Sequence, residues 1–312
     1  MGIFRRIFVA FLIIILCICP VAAAELIPGG QVIGLQLEDG SVHIAGFTDT
    51  SVAQRAGLKT GDRILSADGK TVDSPETLRK LLERSDGSVE ICVLREGKTK
   101  KFRIAPAVTA DGPRLGVYLR QGISGLGTVT YYQPDGSFGA LGHGVMEQGQ
   151  PVVFHAGTVC GVTLLSVRQG KAGQPGQLLG TLQQEQSLGS VEKNTIQGIF
   201  GRLSPPAAET VSTGQAKVGA ATIRTTVDGE GMQEYSVQIL KLYPRSGDGC
   251  RNLLLRVDDQ RLVAKTGGIV QGMSGSPIMQ DGKIVGAVTH VLVNDPTMGY
   301  GIFIENMLKA AA

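Results

Sequence analysis

The sequence has no tryptophan, and aromatic residues make up only 5% of it. A chain this poor in large rings offers no stacking platform for single-stranded nucleic acid. Charge is sparse as well, at 18% Asp, Glu, Lys and Arg with a net charge of +3. No dense Lys/Arg stripe accompanies it, so nucleic acid is not an expected partner. Histidine is limited to His43, His143, His155 and His290. None pairs with another at metal-ligand spacing, so no metal site is expected. Outside the first two dozen residues, cysteine is limited to Cys92, Cys160 and Cys250. An odd number excludes a fully paired disulfide framework within one chain. A Cys160–Cys250 bridge and three buried thiols both remain open, the latter being the usual role of a small apolar cysteine.

Glycine is abundant, with 44 residues in 312 and no collagen-like period. Glycine reaches positive φ at no steric cost, so the composition fits many short strands joined by tight turns. Apolar residues at 42% suffice for a packed core. The length fits one large domain or two ordinary ones.

Residues 1–24 stand apart. Arg5 and Arg6 precede an uninterrupted apolar run from Ile7 to Ala24, which ends in Ala22-Ala23-Ala24. The small residues suit a cleaved signal peptide. The run also approaches the roughly 20 residues that span a bilayer, so a retained anchor is the second reading. In either case the positive flank stays in the cytoplasm and the rest of the chain is expected outside it, secreted or associated with the membrane.

A polar link, Glu25 to Gly30, leads into a unit placed at residues 29–108. Val32 to Leu37 and His43 to Phe47 read as strands. Ser74 followed by Pro75, with Leu78, Leu81 and Leu82 on one face, reads as a capped helix from Pro75 to Arg84. Glu96-Gly97 reads as a hairpin turn. The stretch Ala56-Gly57-Leu58-x-x-Gly61-Asp62-x-Ile64-Leu65 resembles a PDZ domain of the bacterial protease-associated type. The resemblance implies a strand edge that accepts an extended peptide, with backbone near Ile33, Gly34 and Leu35 holding a C-terminal carboxylate.

From Pro113 to the end, strand-like runs separated by turn signals predict a barrel pair or sandwich with little helix before Ile304 to Ala311. Gly170 to Gly180 reads as a surface loop. His143 lies in Gly142-His143-Gly144, where two glycines leave the imidazole accessible as a general base. Ser274 lies in Gly272-Met273-Ser274-Gly275-Ser276-Pro277. Glycines around a serine permit a tight turn that presents Oγ and aims the backbone N–H groups of Gly272 and Ser274 at one point, as an oxyanion hole does. A histidine upstream of a serine in a strand-rich domain fits the chymotrypsin-like order of His, Asp and Ser. Among Asp228, Asp248, Asp258 and Asp259, the residues alone do not select the third member.

The run Lys265-Thr266-Gly267-Gly268-Ile269-Val270-Gln271-Gly272-Met273-Ser274-Gly275-Ser276-Pro277 is followed by Gly286-Ala287-Val288-Thr289-His290-Val291, Val293-Asn294-Asp295-Pro296 and Gly299-Tyr300-Gly301. These motifs closely resemble the SpoIVB family of sporulation serine peptidases. The resemblance implies a chymotrypsin-like double β-barrel at residues 113–312 and a triad of His143, Ser274 and Asp259, with Asp258 adjacent, needing no cofactor. It implies an exported endopeptidase of the forespore intermembrane space. That enzyme cleaves an inhibitory membrane protein, so triggering pro-sigma-K processing, and also cleaves itself. Its expected partners are a membrane-anchored protein substrate, a PDZ peptide ligand or itself, and the membrane through the N-terminal segment. The alternatives are a PDZ-containing extracytoplasmic quality-control protease and a non-catalytic PDZ adaptor on a peptidase scaffold.

Overall fold

The structure, a computed structural model, describes residues 24–147, 149–247 and 249–312, with Gln184 described by its backbone alone. The expected signal or anchor up to Ala23, with Cys17 and Cys19, lies outside the described residues, as does Asp248. Among the described residues no helix is long and apolar enough to cross a membrane.

The chain opens with β1 (Glu25–Pro28) and the long β2 (Val32–Phe47). It passes through a one-turn helix α1 (Val52–Arg55), β3 (Arg63–Ala67), α2 (Pro75–Glu83) and a hairpin of β4 (Val89–Arg95) and β5 (Lys98–Ile104). It returns along an equally long β6 (Val117–Tyr132). Next come β7 (Ser137–Ala140), β8 (Ala156–Arg168), β9 (Gln177–Thr195) and β10 (Gly198–Leu203). Strands β2, β6, β7, β10, β9 and β8 pair antiparallel in that order, and β8 pairs back onto β2, so the ladder closes into a first barrel. Its interior is built from Ile33, Leu35, Val129, Phe138, Val159 and Ile199.

The second barrel comprises β11 (Gly219–Thr226), β12 (Met232–Leu242), β13 (Leu253–Val257), β14 (Pro277–Gln280), β15 (Lys283–Leu292) and β16 (Asp295–Phe303). It closes in the order β11-β12-β13-β16-β15-β14. Alternation explains it: Ile223 and Thr225 on β11, and Tyr235, Val237 and Ile239 on β12, turn inward while their neighbours face out. Helix α3 (Gln260–Thr266) lies between β13 and the Ser274 loop, and α4 (Ile304–Ala311) ends the chain.

Between β2 and β6 sits a third core of Val42, Ile44, Ile64, Leu78, Leu82 and Ile91. Helix α2 begins where the sequence predicts: the Ser74 hydroxyl accepts from Thr77 N–H at 3.1 Å, Pro75 occupies the first turn, and Leu78 and Leu82 are buried.

The structure corrects three expectations. The PDZ unit does not simply precede the peptidase at residues 29–108: Ile33, Leu35 and Leu37 belong to the first-barrel core, and the unit's own core runs from Val42 to Leu115. It is inserted between two strands of that barrel. Glu25 to Gly30 is not a loose link, because Leu26 and Ile27 are buried and β1 pairs with β6 at Tyr131 and Tyr132. The loop expected to reach Gly180 stops earlier, since β9 starts at Gln177 and buries Leu178. No disulfide joins Cys160 and Cys250.

Candidate active site

The Ser274 loop leaves α3 through Gly267, whose φ of 77° ends the helix in a left-handed cap. Its peptide groups are then fixed one by one from three sides. Gln271 N–H donates to Gly176 O at 3.0 Å, and Gln271 O accepts from Leu178 N–H at 2.9 Å. Met273 N–H donates to Val270 O at 3.1 Å. Gly272 O accepts from the Thr128 hydroxyl at 2.7 Å, and Ser274 O from Thr128 N–H at 2.9 Å. Gly275 N–H donates to Val288 O, and Gly275 O accepts from the Thr130 hydroxyl at 2.8 Å. Met273 O accepts from both the amide and the hydroxyl of Ser276, at 3.0 and 2.7 Å.

Two donors are left over. The N–H groups of Gly272 and Ser274 find no acceptor among the described residues. In a trans peptide the N–H points opposite to the preceding carbonyl. Leu178 holds the Gln271 carbonyl and Ser276 holds the Met273 carbonyl, so both amides turn away from their anchors. Both residues line one cavity of about 390 Å³. Glycine is required at position 275: φ is 97°, and a Cβ there would lie 1.9 Å from Thr128 O. That close approach joins the loop to the first barrel.

His143 follows β7. Leu141 and Gly142 both have φ of 68°, and Leu141 N–H donates to Thr128 O at 3.1 Å. Asn194 on β9 fixes the next segment, accepting from Val145 N–H and donating to Val145 O and Val152 O. The His143 Nδ1 lies 2.9 Å from Gly144 O. A carbonyl only accepts, so Nδ1 carries the proton and Nε2 presents the lone pair. Burial lowers the His143 pKa below the ordinary value, and the Gly144 bond opposes that shift.

Ser274 and His143 line the same cavity, together with Thr289 and His290. The Ser274 hydroxyl donates to Thr289 O at 2.8 Å. A hydroxyl has one proton, so this bond must be released before Oγ can donate to His143. The His290 ring stands 5.1 Å from that of His143, tilted by 39°. Sequence reasoning gave His290 no role; the only signal was its place in the long C-terminal motif. His43 instead meets the Ser41 hydroxyl at 2.9 Å, and His155 faces Glu38 at 3.7 Å. Among the described residues, no group of three or more His, Cys, Asp or Glu is set to hold a metal ion.

Asp259, the acid implied by resemblance, lies elsewhere. Its carboxylate caps α3, accepting from Arg261 N–H at 2.9 Å and Ser236 N–H at 3.2 Å, and pairs with the Arg261 guanidinium at 2.7 Å. Arg261 is the main reason its pKa falls to about 2. Asp258 accepts from Ser236 Oγ at 2.6 Å and Gln238 Nε2 at 3.0 Å. Asp228 pairs with Lys265. None of these three bonds to His143, whose Nδ1 is occupied by Gly144 O.

Ile33, Gly34 and Leu35 also need correcting as a carboxylate-binding loop. Gly34 and Leu35 pair with Cys160 and Val159 on one side, and all three residues pair with β6 on the other. Strand pairing on both sides leaves Gly34 and Leu35 no edge for a ligand, and the Ile33 side chain is buried in the first-barrel core. One available edge of the PDZ unit is the start of β6: Val117 to Leu119 pairs only with β2 among the described residues. Leu119 packs against the core to which α2 contributes Leu78 and Leu82. An unpaired strand beside a helix is the geometry that adds an extended peptide.

Residues 45–95 match the PDZ domain family. A curated protein of Rhizobium meliloti, named as a zinc metalloprotease, is 27% identical over 223 residues. That match covers 69% of this chain and 55% of the relative, so the chain spans little more than half of that protein's length. Among solved structures, the Rv3671c protease of M. tuberculosis in its active form is similar at a TM-score of 0.36 and 14% identity, over 60% of this chain and 73% of that one. Its inactive form gives 0.34 and 13%, over 60% and 82%. Residues 111–308, which carry both the His143 and the Ser274 loops, match SpoIVB peptidase S55, and the chain belongs to that serine peptidase family.

Proposed function

We propose that this PDZ-containing serine peptidase is a regulatory endopeptidase of sporulation signalling. Residues 1–24 deliver it to the outer side of a membrane, in the forespore intermembrane space. There it cleaves an inhibitory membrane protein and so triggers pro-sigma-K processing, and it also cleaves itself. Family membership supports the biological role.

One observation carries the chemistry: two fixed amides without acceptors, at Gly272 and Ser274, border the cavity shared by Ser274 and His143. In the proposed reaction the Ser274 hydroxyl leaves Thr289 O and donates to His143 Nε2. As Oγ attacks the scissile carbonyl, its proton passes to His143. The imidazolium keeps its Nδ1–H on Gly144 O, so a backbone carbonyl orients the ring where a carboxylate does so in a Ser-His-Asp triad. The N–H groups of Gly272 and Ser274 receive the negative oxygen, and loss of one such donor typically costs about 3–4 kcal/mol. His143 then protonates the leaving amine, and water releases the acyl group by the reverse sequence. Asp259 acts here as the cap of α3, the helix that leads into the nucleophile loop.

The chemical test is labelling of the full chain in mild detergent with a fluorophosphonate. Wild type should be labelled at Ser274 and Ser274→Ala should not. Equal labelling of both would remove the assignment. The biological test is co-expression with a membrane-anchored inhibitor of pro-sigma-K processing. Wild type should cleave the inhibitor and Ser274→Ala should leave it intact.

A further inference from the structure

The cavity beside Ser274 is walled by Leu126, Leu141, Ile269, Val270, Val291 and Val293. It adjoins a second cavity of about 400 Å³, and the two share Leu126, Gln271 and Gly272. The second is lined by Leu178, Leu179 and Leu182, together with Ser124, Gly125, Gln177 and Gly180. Among the described residues no Asp, Glu, Lys or Arg lines either one. The result is a trough, mainly apolar in its first part and mixed in its second, with Gly272, one of the proposed oxyanion donors, on its dividing ridge.

The trough has a direction. His143 lines the first cavity and not the second. The leaving amine must reach His143 to be protonated, so the departing half of the substrate exits past His143 and leaves the rest of the first cavity, beside Ser274, to the acyl half. The acyl half therefore runs the other way, across Gly272 and along the second cavity. A side chain next to the scissile carbonyl enters the first cavity, and one further toward the substrate's N-terminus meets Leu178, Leu179 and Leu182.

From this we infer that the enzyme's substrate class is an extended peptide with an uncharged aliphatic residue directly before the scissile bond and a second aliphatic residue upstream. The inference rests on the serine-peptidase reading of Ser274 and deepens it. An aliphatic side chain loses only water here. Among the described lining residues a lysine meets no carboxylate and an aspartate no Lys or Arg, and an unpaired buried charge is heavily penalised. Selection at a pocket acts through kcat/KM, and even one methylene in an apolar pocket is worth roughly 10- to 200-fold. Rejection of a charged residue should meet or exceed the upper part of that range.

The experiment compares fluorogenic peptides that differ only at the residue before the scissile bond, Leu, Val, Lys or Asp, using the full chain in mild detergent. The expected result is kcat/KM at least about 10²-fold higher for Leu or Val than for Lys or Asp. Replacing the upstream aliphatic residue by Lys should lower it again. Val293 is 46% exposed at the rim, so Val293→Glu places a carboxylate there without opening the core. That variant should raise kcat/KM for the Lys peptide at least tenfold relative to wild type. Fluorophosphonate labelling separates the two failures. Absence of Ser274 labelling in wild type would overturn the peptidase reading. Normal labelling with equal or better turnover of the Lys or Asp peptide would overturn the substrate class alone. If Val293→Glu does not fold, the wild-type peptide series still decides the matter.

Discussion

Thr128→Val removes one hydroxyl and keeps a β-branched side chain. In the native protein that hydroxyl donates to Gly272 O at 2.7 Å, while Thr128 N–H holds Ser274 O at 2.9 Å. The valine variant keeps the second bond and loses the first. A carbonyl left without its donor in a shielded place costs about 1–3 kcal/mol. Part of that cost is relieved if the Gly272–Met273 peptide rotates, but rotation pulls Met273 N–H off Val270 O and shifts the two amides flanking it. Those amides must converge on one oxygen, and displacing a catalytic group by about 1 Å is enough to cost 10²-fold. Loss of one oxyanion donor sets the upper limit at 10²–10³-fold in kcat. The expected result is a kcat reduced by about 10²-fold, KM nearly unchanged, and a melting temperature lower by a few degrees. Thr128→Ser retains the hydroxyl and should recover most of the rate. Steady-state kinetics with an aliphatic peptide, alongside the rate of fluorophosphonate labelling, measures both. Wild-type kcat in Thr128→Val would refute the reasoning. So would a Thr128→Ser variant as slow as the valine one, since packing of the methyl group would then be what matters.

The pH profile follows from His143. Burial lowers its pKa, and the neutral ring is the base, so the acid limb of kcat/KM should fall below the ordinary value of 6.5. The same shift lowers stability: below about pH 6.5 the unfolded chain binds a proton that the folded chain resists, so stability should decline as pH falls from 6.5 toward the lower native value, as read by denaturant titration at several pH values. Gly275→Ala should be strongly destabilising and inactive, because φ is 97° and the new Cβ would meet Thr128 O at 1.9 Å; a melting curve like that of wild type would contradict this. Asp259→Ala removes the α3 cap, typically about 1 kcal/mol, and should lower the melting temperature while leaving the acid limb where His143 sets it. A displaced limb would mean that the carboxylate contacts the imidazole after all. Leu35→Ala should cost about 2–5 kcal/mol as a core cavity in the first barrel, whereas Tyr118→Ala, on the exposed edge of β6, should alter peptide binding to the PDZ unit and leave stability nearly unchanged.

Much of the site was legible because its chemistry is local. Glycines on both sides of Ser274 and His143 announce turns, and the turns present the side chains. The two amides proposed to receive the oxyanion could be named from the same glycines, since a peptide's orientation follows from its neighbours. What holds them could not. Thr128 and Thr130 lie some 145 residues before the loop they brace, and in sequence they are ordinary strand threonines. Asp259 shows the opposite error. Its place before Thr266-Gly267-Gly268 is distinctive, but that position is also where a helix needs a cap, and the carboxylate is consumed by Arg261 and Ser236. Strand β9 escaped notice because Gln183 to Gln186 carries no apolar alternation, and pairing with β8 and β10 decides its conformation.

The PDZ boundary failed for a topological reason, and the reason bears on how the two units work together. Val32 to Phe47 is one strand, although its first half lines the peptidase barrel and its second half the PDZ core. Hydrophobic patterning marks both halves as buried strand and cannot say that they serve different cores. The same holds for Val117 to Tyr132, which starts at the exposed PDZ edge and ends inside the barrel. Leu119 on that edge and Thr128 under the nucleophile loop are therefore on one strand, separated by roughly 30 Å at the usual rise of about 3.3 Å per residue. Strand β2 runs antiparallel beside it for most of that distance, with register shifts where the ribbon bends between the two cores. A flexible linker would let the PDZ unit tumble independently of Ser274. Two hydrogen-bonded strands do not, so a peptide that adds to the β6 edge extends the same ladder that carries Thr128, and its docking direction relative to the catalytic cavity is fixed by backbone geometry.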